Sequence, residues 1–205
     1  MSVKRTYARI ARLYDLLDQP FEKLRYRPLR PLVFEGVRGR VLDAGVGTGH
    51  NMPFYPPDAE VTGLDLSPEM LARAEARRRE LGIEVELREG DIRATGFPDD
   101  HFDFIVATFV FCVLPEEAQL PALRELARIL KPTGEIRLLE YGFSKRPLRR
   151  FLMRLWVPWV RYAYGASFER RPESHAAAAG LEVAETRFVY EDIIRLVILR
   201  PAGDG

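Results

Sequence analysis

A short apolar strand that runs into three alternate glycines constrains this chain more than any other feature. The stretch VLDAGVGTGHN ends at Asn51 and places Asp43 ahead of Gly45, Gly47 and Gly49. Glycine lets the backbone turn tightly after a strand and approach a bound molecule where any Cβ would collide with it. We therefore expect these five residues to bind a cofactor, with a helix after them whose amide groups face an anionic part of that molecule.

The spacing of the glycines separates two classes of cofactor. A dinucleotide fingerprint reads G-x-G-x-x-G, with its acidic residue about 20 positions further on. This loop reads D-x-G-x-G-x-G instead. The pattern favours a cofactor carboxylate over a pyrophosphate at the loop, and a nicotinamide-dependent oxidoreductase is the less favoured alternative.

A second apolar run ends in an acidic residue, Asp65, and is followed by a Ser-Pro helix start. Ligands of open parallel sheets bind outside the carboxyl ends of the strands, where an acidic side chain is placed to accept hydrogen bonds from two ribose hydroxyls. Leu66 and Met70 lie just beyond, where they could pack on a purine face. The alternatives are a charge at a helix N-terminus for Asp65 and ordinary core for the two apolar residues.

A third strand, within IEVELREGDI, ends at Asp91 and Ile92. A carboxylate beside an apolar residue at this edge is placed to accept a hydrogen bond from an adenine amino group. Ile92 would then cover the ring. The alternative is a solvated turn.

Strands and helical patterns alternate along the chain and predict a parallel α/β sheet. Helical spacing of apolar residues is clear in SPEMLARAEARRREL and LPALRELARIL, and we expect helices to alternate with the first five strands. The last two strands are separated only by EDII, which predicts an antiparallel hairpin. The strands are predicted near residues 40–44, 60–65, 83–88, 103–109, 134–140, 181–190 and 193–200.

Length and cysteine content indicate one domain in a reducing compartment. A chain of 205 residues with a hydrophobic fraction of 47% can fill one sizeable core. The single cysteine, Cys112, excludes an intramolecular disulfide and is consistent with the cytoplasm. No signal peptide is recognisable, and the longest apolar segment, FLMRLWVPWV, is too short to span a bilayer.

Five segments occur in the order and at the spacing of class I S-adenosylmethionine (SAM) dependent methyltransferases: LDAGVGTG, GLDLSPEML, GDI, FPDDHFDFIVATFVFCVL and ILKPTGEIRLLEYG. The resemblance covers about residues 36–142. It implies a Rossmann-like α/β fold, with a mostly parallel seven-stranded sheet and a C-terminal antiparallel hairpin. It also implies SAM as the cofactor, S-adenosyl-L-homocysteine as the product, and cofactor contacts from Tyr7, Tyr14 and Thr108.

Looser similarities rank the methyl acceptors. The opening YARIARLYDLL resembles the Y-D-x-x-A-x-x-Y-D segment of bacterial phospholipid N-methyltransferases and quinone C-methyltransferases, with Ala8 in place of the first Asp. FYPPDAEVT, FVFCVL and WVPWVRYAYGASFER resemble methyltransferase-like proteins that methylate alkyl thiols. We divide the single domain into N-terminal lid helices (1–35), a SAM-binding core (36–142), a basic aromatic lid insertion (143–175) and the C-terminal hairpin (176–205).

Positive charge is concentrated in two segments that flank the core. Residues 1–40 hold 10 Lys or Arg against 4 Asp or Glu, and residues 141–175 hold 8 against 2, in a chain of net charge +1. Both segments are rich in aromatic residues, which favours peripheral contact with an anionic membrane at its inner face. The alternative is a lid packed on the sheet edge. A nucleic acid partner is not expected, because TFVF stands where base-amine methyltransferases have D/N-P-P-Y/F.

The chemistry of methyl transfer requires few dedicated groups. A methyl sulfonium is already a good electrophile, so the protein mainly aligns the acceptor and excludes water. Tyr14, Glu140 and Tyr141 are the groups best placed to remove a proton from the acceptor. The family resemblance favours Tyr14 as the residue that faces the methyl donor. No metal is expected, because H-x-x-x-H and C-x-x-C patterns are absent.

The expected acceptor is lipid-like or small and hydrophobic. A phospholipid headgroup amine of the phosphatidylethanolamine type fits the basic, aromatic segments best. A quinone-type ring carbon and a small thiol stay open as acceptors, because a fold does not settle a substrate. A non-catalytic membrane-binding module is the remaining alternative from another class.

Overall fold

One seven-stranded sheet organises the chain. The computed structural model describes residues 25–164 and 167–203, apart from the side chains of Trp156 and of residues 159–164. The strands are β1 (Gly39–Ala44), β2 (Ala59–Asp65), β3 (Glu86–Glu89), β4 (Phe102–Thr108), β5 (Leu130–Tyr141), β6 (Leu181–Tyr190) and β7 (Ile194–Pro201). The α-helices are α1 (Pro68–Leu81), α2 (Glu116–Ile129) and α3 (Pro147–Tyr164).

The strand order is β3-β2-β1-β4-β5-β7-β6. The strands β1 to β5 pair in parallel, whereas β7 pairs antiparallel with both β5 and β6. The predicted mostly parallel sheet with a terminal antiparallel hairpin is therefore confirmed. The order reverses between β1 and β4, and ligands of such sheets bind at the carboxyl ends of the strands beside this switch point.

Alternating side chains of the central strands build a core on each face of the sheet. In β1, Leu42 and Ala44 join one buried cluster, and Val41 joins the other. In β4, Ile105 belongs to the first cluster and Val106 to the second. This alternation follows from the two-residue period of a strand, and it leaves only the strand ends free to present polar groups.

Helix α1 begins and ends where its sequence indicates, whereas α2 begins at Glu116, before the apolar pattern LPALRELARIL. Ser67 caps α1 by accepting a hydrogen bond from the Met70 amide at 3.3 Å, and Gly82 ends it with a φ of 64°. Helix α2 buries a stripe that includes Leu123 and Leu126. Each helix therefore covers one face of the sheet with its apolar side.

The expectation that helices alternate with all of the first five strands is wrong. Between β1 and β2 the described chain forms turns and a three-residue 3-10 helix, Met52–Phe54. Pro53, Pro56 and Pro57 explain the difference, because proline lacks the amide hydrogen and disfavours helix in the residue before it. Between β3 and β4 the chain turns through a bridge from Asp91 to Ala94.

A tight backbone approach accompanies an irregularity between β4 and β5. The register passes from Phe102 opposite Leu130 to Phe104 opposite Glu135, so β5 contains extra residues at this point. A Cβ on Gly134 would lie 2.7 Å from the Asp103 carbonyl oxygen and 2.6 Å from Leu130 Cδ1. A residue with a Cβ would therefore collide with its neighbours at position 134, which explains the glycine there.

We expect Gly134→Ala to destabilise the protein by about 1–3 kcal/mol, the usual cost of overpacking a tight site. The matched control is Gly203→Ala, because a Cβ there meets no atom within 4 Å. Urea unfolding of the two variants measures the difference. Equal midpoints for Gly134→Ala and the wild type would contradict the assignment.

Candidate active site

The glycine loop lies at the carboxyl end of β1, as the sequence predicts. Gly45, Gly47 and Gly49 have φ values of 78°, 56° and 81°, a conformation that residues with a Cβ rarely adopt. The Gly45 and Val46 amides donate to the Leu64 carbonyl oxygen at 2.8 and 3.0 Å. The loop is therefore fastened to the neighbouring strand β2.

The surroundings of the three glycines differ in the space that they leave for a side chain. A Cβ on Gly45 would lie 2.5 Å from Val110 Cγ2, and one on Gly49 would lie 2.8 Å from Met52 Sδ. At Gly47 the nearest atom to such a Cβ is the Gly45 carbonyl oxygen, at 4.0 Å. Open space therefore adjoins the loop at Gly47, where a ligand can approach the backbone.

Asp43 is the buried centre of a polar network behind the loop. Asn51 Nδ2 donates to both of its carboxylate oxygens at 3.1 Å, and the Tyr55 hydroxyl donates to one of them at 2.6 Å. Asn51 Nδ2 also donates to Thr108 Oγ1 at 3.1 Å, which connects β1 with the end of β4. Burial raises the pKa of Asp43 to about 6.

Arg30 supplies positive charge to this network. Its Nη1 atom donates to Asn51 Oδ1 at 2.7 Å, and its Cζ atom lies 5.9 Å from the centroid of the Phe109 ring. The side chain is buried, and its charge opposes the upward shift in the Asp43 pKa. Arg30 and Tyr55 are members of the site that the sequence did not single out.

Asp65 lies at the end of β2 and holds the glycine loop. Its carboxylate accepts hydrogen bonds from the Gly47 and Ser67 amides, both at 2.9 Å. Burial raises its pKa, and these amide contacts oppose the shift. Leu66 beside it is half-buried and Met70 is buried.

Asp91 and Ile92 lie further along the same edge, after β3. The Arg93 side chain donates two hydrogen bonds to the Asp91 carboxylate, from Nη2 at 2.6 Å and from Nε at 3.0 Å. This contact lowers the pKa of Asp91. Ile92 is buried in the core. A ligand that used the Asp91 carboxylate would share it with Arg93.

Glu140, at the end of β5, organises the loop after β4. Its carboxylate accepts hydrogen bonds from the amides of Val110, Phe111 and Cys112 at 3.0, 2.7 and 3.0 Å. Burial raises its pKa to about 7. The Cys112 thiol is buried and donates to the Phe109 carbonyl oxygen at 3.2 Å. These contacts turn the Glu140 carboxylate towards the loop.

Aromatic rings gather at the ends of β4 and β5. Tyr141 stacks on Phe109 with centroids 4.6 Å apart and meets Tyr26 and Phe168 edge-on at 5.9 and 5.7 Å. Phe143 meets Phe168 at 5.6 Å. We call these five residues the aromatic cluster. It adjoins the polar network through Arg30 and Phe109 and is therefore the apolar neighbour of the glycine loop.

The sequence-based candidates fall into four groups. Asp43, Asn51 and Thr108 are directly hydrogen-bonded, and Asp65 binds the Gly47 amide. A second group follows along the carboxyl edge of the sheet: Leu66, Met70, Asp91 and Ile92. A third group, Glu140 and Tyr141, lies at the end of β5. Tyr7 and Tyr14 lie outside the described residues. Within residues 25–164 and 167–203, no three His, Cys, Asp or Glu side chains converge as a metal site requires.

Fold and site together define an α/β protein whose glycine loop lies beside the switch point, where the ligands of such sheets bind. A family model described as a methyltransferase domain matches residues 41–134. A phosphatidylethanolamine N-methyltransferase of Cereibacter sphaeroides is 40% identical over 151 residues, which cover 72% of this chain and 72% of that enzyme. The chain belongs to the class I SAM-dependent methyltransferases, and SAM is its cofactor.

One further relative and one solved structure are similar to the chain. A demethylmenaquinone methyltransferase of Thermus thermophilus is 36% identical over 142 residues, which cover 66% of this chain and 64% of that enzyme. The crystal structure of a SAM-dependent methyltransferase from Aquifex aeolicus aligns with a TM-score of 0.58 at 23% identity, over 78% of this chain and 80% of that one. The structural likeness supports the Rossmann-like fold.

We expect Gly47→Ala to weaken SAM binding by about 10-fold or more, because its Cβ would enter the space beside the loop and overpacking costs about 1–3 kcal/mol. The control is Gly36→Ala, because Gly36 also has a positive φ, at 68°, and no atom lies within 4 Å of the Cβ that this change adds. Both variants should lose about 1–2 kcal/mol of stability through backbone strain. Calorimetric titration with SAM separates them, and equal affinities would contradict the assignment.

We expect the stability of the protein to fall as pH rises from about 4.5 to about 7, in part because of Glu140. Its pKa is raised from 4.5 to about 7 on folding, so the folded state retains a proton that the unfolded state has lost in this window. The full shift corresponds to about 3 kcal/mol. Chemical denaturation at a series of pH values measures it.

The matched variant is Glu140→Gln, whose amide oxygen can still accept from two of the three loop amides. Its NH2 group would face the third donor, so we expect a pH-independent loss of about 1–3 kcal/mol. Its stability should fall less steeply than that of the wild type between pH 4.5 and 7. Asp43 titrates in both proteins, so their difference isolates Glu140. Parallel curves would rule out the titration of Glu140.

Proposed function

We propose that this enzyme transfers a methyl group from SAM to the headgroup amine of a phospholipid of the phosphatidylethanolamine type, at the surface of an anionic membrane. The observation that supports the membrane most directly is an apolar face of α3 that points to solvent. The 40% identity with a phosphatidylethanolamine N-methyltransferase supports the acceptor.

Helix α3 exposes four large apolar side chains along one face. Leu148, Phe151, Leu152 and Leu155 are 72%, 58%, 50% and 63% exposed. Their spacing places them on one side of a helix, and we call them the α3 apolar face. A soluble helix normally turns such a face inward, so this one is suited to the headgroup layer. No described helix has both the length and the apolar content of a bilayer-spanning segment.

The charge around α3 complements an anionic surface. Residues 143–168 contain six Lys or Arg and no Asp or Glu. Arg150 and Arg154 are exposed, whereas Arg149 pairs with Glu191 at 2.6 Å and Asp192 at 2.9 Å. Arg149 therefore holds α3 to the β6–β7 turn, and the exposed arginines are the ones available to lipid phosphates.

The start of α3 is anchored beside the aromatic cluster. The Ser144 hydroxyl and the Lys145 amide donate to Asp192 Oδ2 at 2.6 and 2.7 Å. Phe143, which precedes the helix, and Phe168, which follows it, meet at 5.6 Å. A lipid bound along α3 would therefore lie next to the rings at the ends of β4 and β5.

The proposed mechanism assigns positioning to most of the site. When bound, SAM supplies an electrophilic methyl group. Asp65 would accept hydrogen bonds from the ribose hydroxyls, Asp91 and Ile92 would hold the adenine, and Leu66 and Met70 would pack on its face. Tyr7, Tyr14 and Thr108 would contact the cofactor, as the family resemblance implies.

The acceptor side of the mechanism falls to the aromatic cluster. Its rings exclude water and orient the amine. Tyr141 and Tyr14 are the two candidates to remove a proton from the amine. Glu140 acts through the loop after β4, because three amides occupy its carboxylate. Glu140 is therefore a positioning residue in this proposal. This role is favoured over that of a base, which the sequence suggested.

A quinone-type ring carbon is the second candidate acceptor. The 36% identity with a demethylmenaquinone methyltransferase and the stacked pair Phe109–Tyr141 favour it, because flat rings suit a flat aromatic substrate. Assays with labelled SAM and three acceptors distinguish the possibilities: phosphatidylethanolamine in mixed vesicles, a demethylated quinone and an alkyl thiol. Methylation of the quinone or the thiol without the lipid would overturn the proposal.

We expect Phe151→Ser with Leu155→Ser to weaken binding to anionic vesicles by about 100-fold, because each side chain gains about 1.5–3 kcal/mol on burial. The control is Leu81→Ser with Val183→Ser, two exposed apolar residues elsewhere on the surface. Binding should also fall with salt, since screening is strong beyond about 10 Å at 0.1 M. Vesicle co-sedimentation measures both effects, and unchanged SAM affinity shows that the fold is intact.

A further inference from the structure

The backbone after the glycine loop does not form the helix that the sequence predicts to face the anionic end of the cofactor. The sequence predicts a helix whose amides face the carboxylate of the methionine moiety. The structure has turns there, followed by a 3-10 helix of only three residues, Met52–Phe54. So short a helix has no appreciable macrodipole, because the aligned peptide dipoles of several turns create it. A carboxylate bound at this loop would therefore gain little stabilisation from a helix macrodipole.

The acidic side chains of the site increase the need for a positive charge beside this carboxylate. Asp43 and Asp65 are both at the edge where the cofactor binds, and the charge of Asp65 acts unfavourably on Asp43. A third carboxylate brought beside them would be repelled at short range in a poorly solvated site. A cation that is already in place removes this cost.

Among the described residues, Arg30 is a cationic side chain that the polar network around Asp43 holds in place. It lies at the start of the 3-10 helix Arg30–Phe34, whose Val33 and Phe34 are buried in the core. Its guanidinium bonds Asn51 Oδ1 at 2.7 Å, beside the end of the glycine loop. A guanidinium matches the two oxygens of a carboxylate through parallel N–H donors, which a point charge cannot do.

The orientation of the Asn51 amide supports this arrangement. Its Nδ2 atom donates to Asp43 and to Thr108, so its Oδ1 atom is the one turned to Arg30. Asn51 thereby joins Arg30 to the strand ends that form the site. We propose that the Arg30 guanidinium binds the α-carboxylate of SAM, in place of the amides of a helix after the glycine loop.

The test compares two ligands that differ in one group. S-adenosylhomocysteine and its decarboxylated analogue share the adenosyl group, the sulfur and the amine, and only the first has the carboxylate. Calorimetry on the wild type should show an approximately 10- to 100-fold preference for S-adenosylhomocysteine, the range for hydrogen bonds to a charged group. Arg30→Gln should abolish this preference by weakening the first ligand alone.

Two further variants complete the experiment. Arg38→Gln is the control, because it makes the same charge change at an exposed position before β1. Arg30→Lys keeps the charge that faces Asp43 and so protects the fold, yet it loses the planar fork, and the preference should fall by about 3- to 10-fold. Equal weakening of both ligands by Arg30→Gln, or an unchanged preference in either Arg30 variant, would overturn the proposal. No acceptor is present, so the result is independent of the lipid assignment.

Discussion

The buried carboxylate of Asp43 is the interaction on which the site depends. Taking a carboxylate out of water costs several kcal/mol unless it is well paired and hydrogen-bonded. Asn51 and Tyr55 donate to it, and Arg30 lies within the same network. Asn51 and Tyr55 lie in the turn after β1, Arg30 lies in the segment before the sheet, and Asn51 also bonds Thr108 at the end of β4. Satisfying one buried charge therefore fixes these three parts of the chain relative to one another.

Glu140 has the corresponding role for the loop after β4. It binds three consecutive amides of the loop after β4, and Phe109 at the start of that loop has a φ of 59°. A residue with a Cβ adopts this conformation only where its surroundings hold it. Two buried carboxylates therefore shape the two halves of the carboxyl edge, which suits a reaction that depends more on alignment than on acid–base chemistry.

Helix α3, on the outer surface of the enzyme, is held by polar contacts. The core is filled by alternating residues of the central strands, whereas the apolar side chains of α3 face solvent. Arg149 and the turn at Asp192 hold the helix in place by polar contacts instead. The helix can therefore keep its apolar face outward while its first turn stays beside the aromatic cluster.

The sequence by itself determined the features that depend on near neighbours. The glycine loop, the acidic ends of β1 and β2, the capped start of α1 and the terminal hairpin all follow from spacing and local conformation. The prolines after Asn51 also forbid a helix between β1 and β2, although the alternation of elements pointed to one.

The tertiary structure alone decided which polar groups meet. Arg30 is 21 residues from Asn51, and Glu140 is about 30 residues from the amides that it binds. In the sequence, Arg30 is one of many arginines in a basic segment, and Glu140 is an acid at a strand end. Periodicity reports which face of an element is apolar, but it holds no information about the distant partner that satisfies a buried charge. That partner is set by how the strands are ordered in the sheet.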